Sequence, residues 1–109
     1  MLLPVEIFRA LADPTRLAVF ESLASSELSV AELTARFDVS QPAISQHLAA
    51  LRASGLVSPR KSGRQVFYRV DPAGMQPVIS WIAHYRTFWR EKLPRLEALL
   101  KDMLQGEKE

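Results

Sequence analysis

Apolar residues recur at helical spacing through the first part of the chain. Residues 5–11 form an amphipathic segment. In the next segment, apolar side chains repeat at intervals of three and four residues, at Leu17, Phe20 and Ala24. Such intervals place side chains on one face of a helix. Asp13 and Pro14 stand at the start of that helix, where Asp13 can accept from free backbone N–H groups and Pro14 suits the first helical position. The pattern predicts two helices here.

Two further helices follow, each with its own start signal. Ser29 and Glu32 are three residues apart, which is the spacing of a capping box, so a short helix is predicted after Ser29. Ser40 can cap the next helix, with Pro42 in its first turn. The apolar stripe of this helix consists of Ile44, Leu48 and Leu51. Gly55 is the residue at which we expect it to stop.

The pattern then changes from helices to strands. Residues 56–61 and 64–70 are rich in β-prone side chains and flank Ser62-Gly63, a two-residue turn signal, so they predict a hairpin. Pro59 has no N–H to donate, so its strand is predicted to be short or at a sheet edge.

The last third of the chain is predicted to be helical. Asp71-Pro72 is another helix start, and helical composition continues from Met75 to Leu104. Pro94 lacks an N–H, so we expect a kink or a break just before it. Helices joined by a short turn and followed by a hairpin are typical of a winged helix-turn-helix, a mainly α fold in which the second helix of the pair enters the major groove.

Composition and charge narrow the class of protein. With 109 residues and 48% hydrophobic content, the sequence predicts a single domain spanning residues 1–109. The absence of cysteine excludes disulfides and thiolate metal sites. Neither a basic leader segment nor a long apolar run occurs, so we expect a cytoplasmic protein that does not enter a membrane.

The central window, residues 39–70, contains basic side chains and no acid. Its five basic residues are Arg52, Arg60, Lys61, Arg64 and Arg69. The other 77 residues hold the remaining nine basic and all twelve acidic residues. Phosphate contacts supply most of the sequence-independent affinity for DNA, so this local excess indicates a double-stranded DNA partner.

Polar side chains of the predicted recognition helix are candidates for reading bases. Gln41, Ser45 and Gln46 lie opposite its apolar stripe. Gln can pair with adenine in the major groove, and Ser is unselective. The alternative is an ordinary solvated helix face. His47 lies at the edge of the stripe, where it either donates to a phosphate or completes the packing between helices, and the sequence leaves both interpretations open.

The hairpin cations Arg60, Lys61 and Arg64 cluster around the turn, where they could reach phosphates or a narrow groove. The alternative is an edge strand that charge protects from aggregation. The absence of a compensating acid in the window favours DNA. Arg52 and Arg69 add to the positive field, although either could pair with an acid from another segment.

Aromatic side chains mark one face of the last helical segment. They are Trp81, Tyr85, Phe88 and Trp89, at positions i, i+4, i+7 and i+8. Together with Leu3, Ile7 and Leu96, this stripe predicts a dimer interface. A pocket for an apolar ligand is the alternative. Nothing pairs a nucleophile with a base, so the sequence argues against an enzyme. A protein–protein adaptor would explain the aromatic helix but not the acid-free window.

Three motifs appear in order along the chain: ALADPTRL at 10–17, SQPAISQHL at 40–48 and LRASGLV at 51–57. They resemble the ArsR/SmtB family of bacterial transcriptional repressors. The resemblance implies a homodimeric winged-helix repressor that binds an imperfect palindrome at its own promoter. Residues 13–70 would read DNA, and helices at about 3–11 and 72–104 would form the dimer. The residues predicted to bind DNA are Gln41, Pro42, Ser45, Gln46, His47, Arg52, Arg60, Lys61 and Arg64.

The chain departs from that family where its metal sensors bind their effectors. Metalloid sensors carry Cys-Val-Cys where this chain reads Ser29-Val30-Ala31, so soft-metal sensing at that place is chemically excluded. Zinc-sensing relatives place ligands across the last helix, where this chain offers His84 and scattered acids. With His47 and His84 as its two histidines, one chain cannot build a closed tetrahedral site. We expect no metal and no cofactor, and the sequence does not identify a small-molecule effector.

Overall fold

The computed structural model describes residues 4–108, with side chains as far as Gly106. The chain divides into two compact units, one ending at Val78 and one beginning at Ile79. The elements in chain order are α1 (Pro4–Leu11), α2 (Pro14–Ser25), β1 (Leu28–Ser29), α3 (Val30–Arg36), α4 (Gln41–Ala53), β2 (Val57–Ser62), β3 (Gln65–Val70), a 3₁₀ turn (Pro72–Met75), α5 (Gln76–His84) and α6 (Arg86–Lys108). The single-domain organisation stays a prediction, and each unit is described by itself.

The predicted helix starts are confirmed by hydrogen bonds. The N–H of Arg16 donates to Asp13 Oδ1 at 2.9 Å. At the start of α3 the capping box is complete, because the N–H of Glu32 donates to Ser29 Oγ at 3.0 Å and the Ser29 N–H donates to Glu32 Oε1 at 2.9 Å. Ser40 Oγ accepts from the N–H of Ala43, the third residue of α4, at 3.2 Å. Side chains therefore satisfy N–H groups that have no partner within the helix.

The core of the first unit lies between helices α1–α4 and the sheet. The apolar stripe predicted for α4 is confirmed, since Ile44, Leu48 and Leu51 are all buried. Other fully buried side chains are Ile7, Val19, Leu33 and Leu56. Burying one face of α4 fixes its opposite face toward solvent, and that orientation determines which polar residues α4 can present.

Three antiparallel strands form the sheet, in the order β1-β3-β2. β2 is an edge strand, as Pro59 predicted. β1 was not predicted, because two residues are too few to show an alternating pattern. Its pairing places Leu28 opposite Tyr68 and Ser29 opposite Phe67. The sheet is thus tied to the start of α3, since Ser29 is both a strand residue and the cap of that helix.

The hairpin turn lies one residue later than predicted. Ser62 pairs with Gln65, which leaves Gly63 and Arg64 as the two turn residues instead of Ser62 and Gly63. Gly63 has φ +63°, a left-handed conformation that tight hairpin turns use and that glycine adopts without strain. Arg64 consequently stands at the tip of the wing.

The chain segment after α4 is held by a close backbone approach. α4 ends at Ala53, and Gly55 follows with φ +81°, as expected of a helix stop. The N–H of Asp71 donates to the carbonyl of Leu56 at 2.9 Å. A Cβ atom on Gly74 would lie 1.7 Å from the carbonyl oxygen of Gly55, so only glycine fits there. The 3₁₀ turn therefore packs directly against the turn that ends α4.

Of the two alternatives predicted at Pro94, a kink or a break, the break is wrong, and the kink stays a prediction. α6 continues through Pro94 and ends at Lys108, beyond the predicted end at Leu104. Pro94 has no N–H to donate to the carbonyl of Arg90, four residues earlier. That carbonyl can bind water instead, because Arg90 is exposed. The interruption lies at Tyr85, whose N–H donates at 3.1 Å to Ile82, only three residues back. Neither proline nor glycine marks that position.

The predicted architecture is confirmed: a mainly α winged helix-turn-helix in which α3 and α4 form the helix pair and β2 and β3 form the wing. Within residues 4–108, the structure has no helix that is both long enough and apolar enough to cross a membrane.

Candidate nucleic-acid interface

α4 presents a continuous exposed polar face. Gln41, Ser45 and Arg52 stand at i, i+4 and i+11, so they lie along one side of the helix. Pro42 and Gln46 lie on the adjacent strip, and all five residues are exposed. Because Ile44, Leu48 and Leu51 hold the opposite side in the core, this polar face cannot rotate away from solvent. Its width and chemistry suit insertion of α4 into a major groove.

An open cleft of about 270 Å³ joins α4 to the wing. Gln41 and Ser45 line it from α4, and Arg64 lines it from the wing tip. Its remaining walls come from the start of α3 and the start of β3, at residues 29–31 and 65–66. The fold thus brings two predicted base-reading side chains and one predicted phosphate-binding side chain to a single surface.

The register of the hairpin places its neighbouring cations on opposite faces. Side chains alternate along a strand, so Lys61 shares a face with Val57, which is buried in the core. Arg60 lies on the other face, opposite Phe67 in the pairing. Arg69 is two residues beyond Phe67 and shares that face. The wing therefore separates Lys61 from the pair Arg60 and Arg69.

Arg60 has an acidic partner from outside the acid-free window. Its Nε donates to Glu27 Oε1 at 3.0 Å, and its Nη2 donates to the same oxygen. The guanidinium also lies over the Phe67 ring, 5.2 Å from the ring centre. This hydrogen-bonded pair lowers the pKa of Glu27 and raises that of Arg60. The expectation that no acid compensates the wing is therefore wrong at Arg60.

Three other predicted DNA-binding cations remain uncompensated. Within residues 4–106 the ion pairs are Glu6–Arg9 and Glu27–Arg60, so Arg52, Lys61 and Arg64 are not among them. All three side chains are exposed. Their positive charge is available to phosphates.

His47 lies on the side of α4 next to the start of α2. The pKa of Asp13 is lowered mainly by the hydrogen bond from the Arg16 N–H, and the nearby His47 adds a smaller effect of the same sign. The ring of His47 is half-buried, and its Nδ1 is buried without a hydrogen-bond partner among the described residues. This position supports the packing interpretation, while a phosphate contact for His47 stays a prediction.

The aromatic residues of the second unit cluster as their spacing predicted. The ring centres of Trp81 and Tyr85 are 5.3 Å apart, those of Trp81 and Trp89 are 6.4 Å apart, and those of Phe88 and Trp89 are 4.9 Å apart. Trp81, Tyr85 and Phe88 are nevertheless exposed, and so is Leu96. The apolar face of the second unit consists of these residues with Ile82, Leu93, Leu99, Leu100, Met103 and Leu104.

Ile7 and Leu3 are the two predicted dimer-interface residues in the N-terminal part of the chain. Ile7 is fully buried in the core of its own unit, so the structure corrects its assignment to a dimer interface. The reason is geometric, because one side of the short helix α1 faces the core, and the exposed apolar side chains of α1 are Val5 and Phe8. Leu3 lies outside the described residues.

The chemistry for metal binding is sparse in the part of the chain described. Residues 4–106 contain no cluster of three or more His, Cys, Asp or Glu side chains that could hold an ion. Ser29, at a position where metalloid sensors carry a thiolate, is committed to capping α3.

Sequence reasoning missed Glu27. It lies 33 residues from Arg60 and outside the basic window, and its role depends on β1 pairing with β3. A compensating acid is visible in the sequence only when the strand order is known.

Comparisons with known proteins are consistent with this geometry. The model of the bacterial regulatory proteins of the arsR family matches residues 13–58. The chain is 39% identical over 104 residues to the arsenical resistance operon repressor of Escherichia coli, covering 94% of this chain and 86% of that protein. It is 43% identical over 75 residues to the transcriptional activator HlyU of Vibrio cholerae, covering 69% of each chain. An ArsR-like transcriptional regulator of Rhodococcus superposes with a TM-score of 0.69 at 32% identity, covering 87% of this chain and 90% of that one.

Proposed function

This chain belongs to the ArsR family of bacterial regulatory proteins, and from this premise we propose that it represses transcription as a homodimer on a palindromic operator. Family membership makes it a DNA-binding transcription regulator and not an enzyme. The cytoplasm, where bacterial DNA is found, is its proposed location. Repression is the direction of control in the Escherichia coli relative, and activation is that in the Vibrio cholerae relative.

The observation that carries the proposal is the cleft between α4 and the wing. It unites Gln41 and Ser45, which can contact base edges, with Arg64, which can contact a phosphate. A solvated helix face would need no such convergence. A protein–protein adaptor would not need a cation outside the described ion pairs beside these polar side chains either.

In this proposal the DNA-binding residues divide by task. Gln41, Ser45 and Gln46 contact bases, and Pro42 packs beside them against the groove. Arg52, Lys61 and Arg64 bind phosphates, because they are exposed and outside the ion pairs of the described residues. His47 is a secondary candidate for a phosphate contact.

The homodimer is proposed from the apolar face of the second unit. Exposed aromatic and aliphatic side chains, such as those along α5 and α6, are typical of a surface that a partner covers. Trp81, Tyr85, Phe88, Trp89 and Leu96 are the proposed interface residues. A symmetric dimer offers two copies of α4, and such readers bind two half-sites about one helical turn apart.

We propose that the repressor works without a metal effector. The family's thiolate positions here read Ser29 and Ala31, and the chain contains no cysteine. If a small molecule relieves repression, the proposed class is an apolar compound that binds the second unit, as the aromatic cluster there would accommodate. Titrating the DNA complex with zinc and with arsenite tests this: neither metal should release the protein at stoichiometric levels, and release by either would overturn it.

Selection of bound sequences from random duplex DNA, at stated salt, tests the proposed function directly. The wild-type protein should select an inverted repeat. Gln46→Ala should change the base preference, whereas Arg64→Ala should weaken binding to every sequence and reduce the salt dependence. Lys101→Ala, an exposed cation of the second unit, is the matched control and should change neither. Selection of no sequence, or equal salt dependence for wild type and Arg64→Ala, would contradict the assignment.

A further inference from the structure

We propose that Glu27 is a positioning residue that keeps Arg60 from binding DNA phosphates, and that it thereby weakens the sequence-independent part of the DNA affinity and its salt dependence. This inference rests on the proposed function. It assigns a role to an acidic residue that is not among the proposed DNA-binding residues and lies outside the basic window. It also reassigns Arg60 from phosphate ligand to partner of Glu27.

Two hydrogen bonds, a ring contact and the strand pairing together fix the position of the Arg60 side chain. Glu27 accepts from both Nε and Nη2, Phe67 supports the guanidinium plane at 5.2 Å, and the β2–β3 pairing places Arg60 directly opposite Phe67. Glu27 itself immediately precedes β1, whose pairing with β3 fixes its distance from the wing. The side chain of Glu27 is the less exposed of the two, at 28% against 48% for Arg60.

The position of Arg60 on the sheet also argues against a phosphate contact. The cleft lined by Gln41, Ser45 and Arg64 opens between α4 and the wing. Lys61 shares the core-facing side of the hairpin, whereas Arg60 lies on the opposite side. The pKa of Glu27 is lowered mainly by the hydrogen bond from Arg60, and the charge of Arg69, which lies on the same side, adds to that effect. Arg60 is the cation that Glu27 binds.

The functional consequence follows from counterion release. Each phosphate that a protein neutralises adds about 0.9 to the slope of log affinity against log salt. This term is the same for every sequence, so an additional free arginine strengthens binding to operator and to unrelated DNA by the same factor. Pairing Arg60 with Glu27 removes one such contact per chain and leaves phosphate binding to Lys61, Arg64 and Arg52. The base-reading residues of α4 are unaffected.

The experiment measures the salt dependence of binding to a selected operator and to unrelated duplex DNA. Glu27→Ala should release Arg60, steepen the slope by about 1.8 per dimer, and strengthen binding to the operator and to unrelated DNA alike at low salt. Between 50 and 200 mM salt, that variant should lose about tenfold more affinity than wild type. Adding Arg60→Ala to Glu27→Ala should return the slope to the wild-type value. Thermal unfolding of each variant checks that the fold is retained.

Two controls separate this role from general charge and structural effects. Glu21→Ala removes an exposed acid of α2 and should leave the slope unchanged. Arg60→Ala should also leave the slope unchanged, whereas Lys61→Ala should lower it by about 0.9 per chain, although the two residues are adjacent. A purely structural role for Glu27 predicts the same slope for Glu27→Ala and the double variant, and that result would overturn the inference.

Failure of this inference is distinguishable from failure of the proposed function. A wild-type protein that selects an operator, together with an unchanged slope in Glu27→Ala, contradicts only the role of Glu27. A slope that falls in Arg60→Ala as much as in Lys61→Ala does the same, because it would return Arg60 to the phosphate ligands. A wild-type protein that selects no DNA sequence overturns both.

Discussion

The unit that ends at Val78 buries many of its apolar side chains, whereas the unit that begins at Ile79 exposes most of its large ones. All buried apolar side chains among the described residues lie at or before Val78. In the second unit, large apolar side chains such as Phe88, Leu99 and Leu100 are about half exposed. The first unit therefore has a core of its own, and the second presents an exposed apolar face of the kind that marks an interaction surface.

That difference matches the division of tasks that we propose for a dimeric repressor. A surface that must fit a DNA groove has to be rigid, and the core of the first unit holds α4 by three buried side chains. A surface that joins two chains has to remain apolar and open until they meet. Substitutions in the first unit should accordingly change the folding equilibrium, and those in the second unit should change the dimerisation equilibrium.

The largest difference is expected between Leu48→Ala and Leu99→Ala. Leu48 is 1% exposed, so its truncation should leave a cavity and lower the free energy of unfolding by about 2–5 kcal/mol. Leu99 is 55% exposed, and its truncation should act through dimerisation. Thermal unfolding at several protein concentrations separates the two. The loss of thermal stability in Leu99→Ala should depend on protein concentration. A loss as large as that of Leu48→Ala that does not depend on protein concentration would contradict the comparison.

Replacing glycine with alanine should lower the free energy of unfolding at Gly74 and raise it at Gly106. In Gly74→Ala the new methyl group meets the backbone oxygen of Gly55, so the turn must shift, at about 1–3 kcal/mol of stability. In Gly106→Ala nothing lies within 4 Å of the new atom, and alanine favours the helix by up to about 1 kcal/mol. Chemical denaturation of both variants measures the difference. A neutral Gly74→Ala would show that the 3₁₀ turn is not held against α4.

A smaller effect is expected at the start of α3. Ser29→Ala removes the hydroxyl that accepts from the Glu32 N–H, and loss of such a cap lowers stability by about 1 kcal/mol. Ser62→Ala, an exposed serine at the end of β2, is the control and should change stability by less than about 0.5 kcal/mol. Denaturant midpoints compare the two variants. Equal midpoints would mean that the capping box contributes nothing to the first unit.

The first unit was largely predictable because its signals are local. Asp13, Ser29 and Ser40 each precede their helices by one residue, and the stripe of α4 has a single period. The wing turn was misplaced by one residue because both Ser62-Gly63 and Gly63-Arg64 suit a two-residue turn. Only the strand register, in which Ser62 pairs with Gln65, distinguishes them.

The features that the sequence did not reveal depend on contacts between distant residues. Ile7 belongs to an amphipathic helix, and periodicity alone does not say whether its apolar side meets the chain's own core or a second chain. Glu27 is an ordinary acid until β1 pairs with β3 and places it beside Arg60. The helix interruption at Tyr85 has no composition signal, whereas Pro94, which has one, lies within a continuous helix.

The central claim is that the first unit reads DNA while the apolar face of the second joins two chains. The mass of the protein bound to a selected operator, measured by analytical ultracentrifugation, tests it most directly. The account predicts two chains on one full-length site, and much weaker binding to an isolated half-site. A single chain that binds one half-site as tightly as the full palindrome would contradict it.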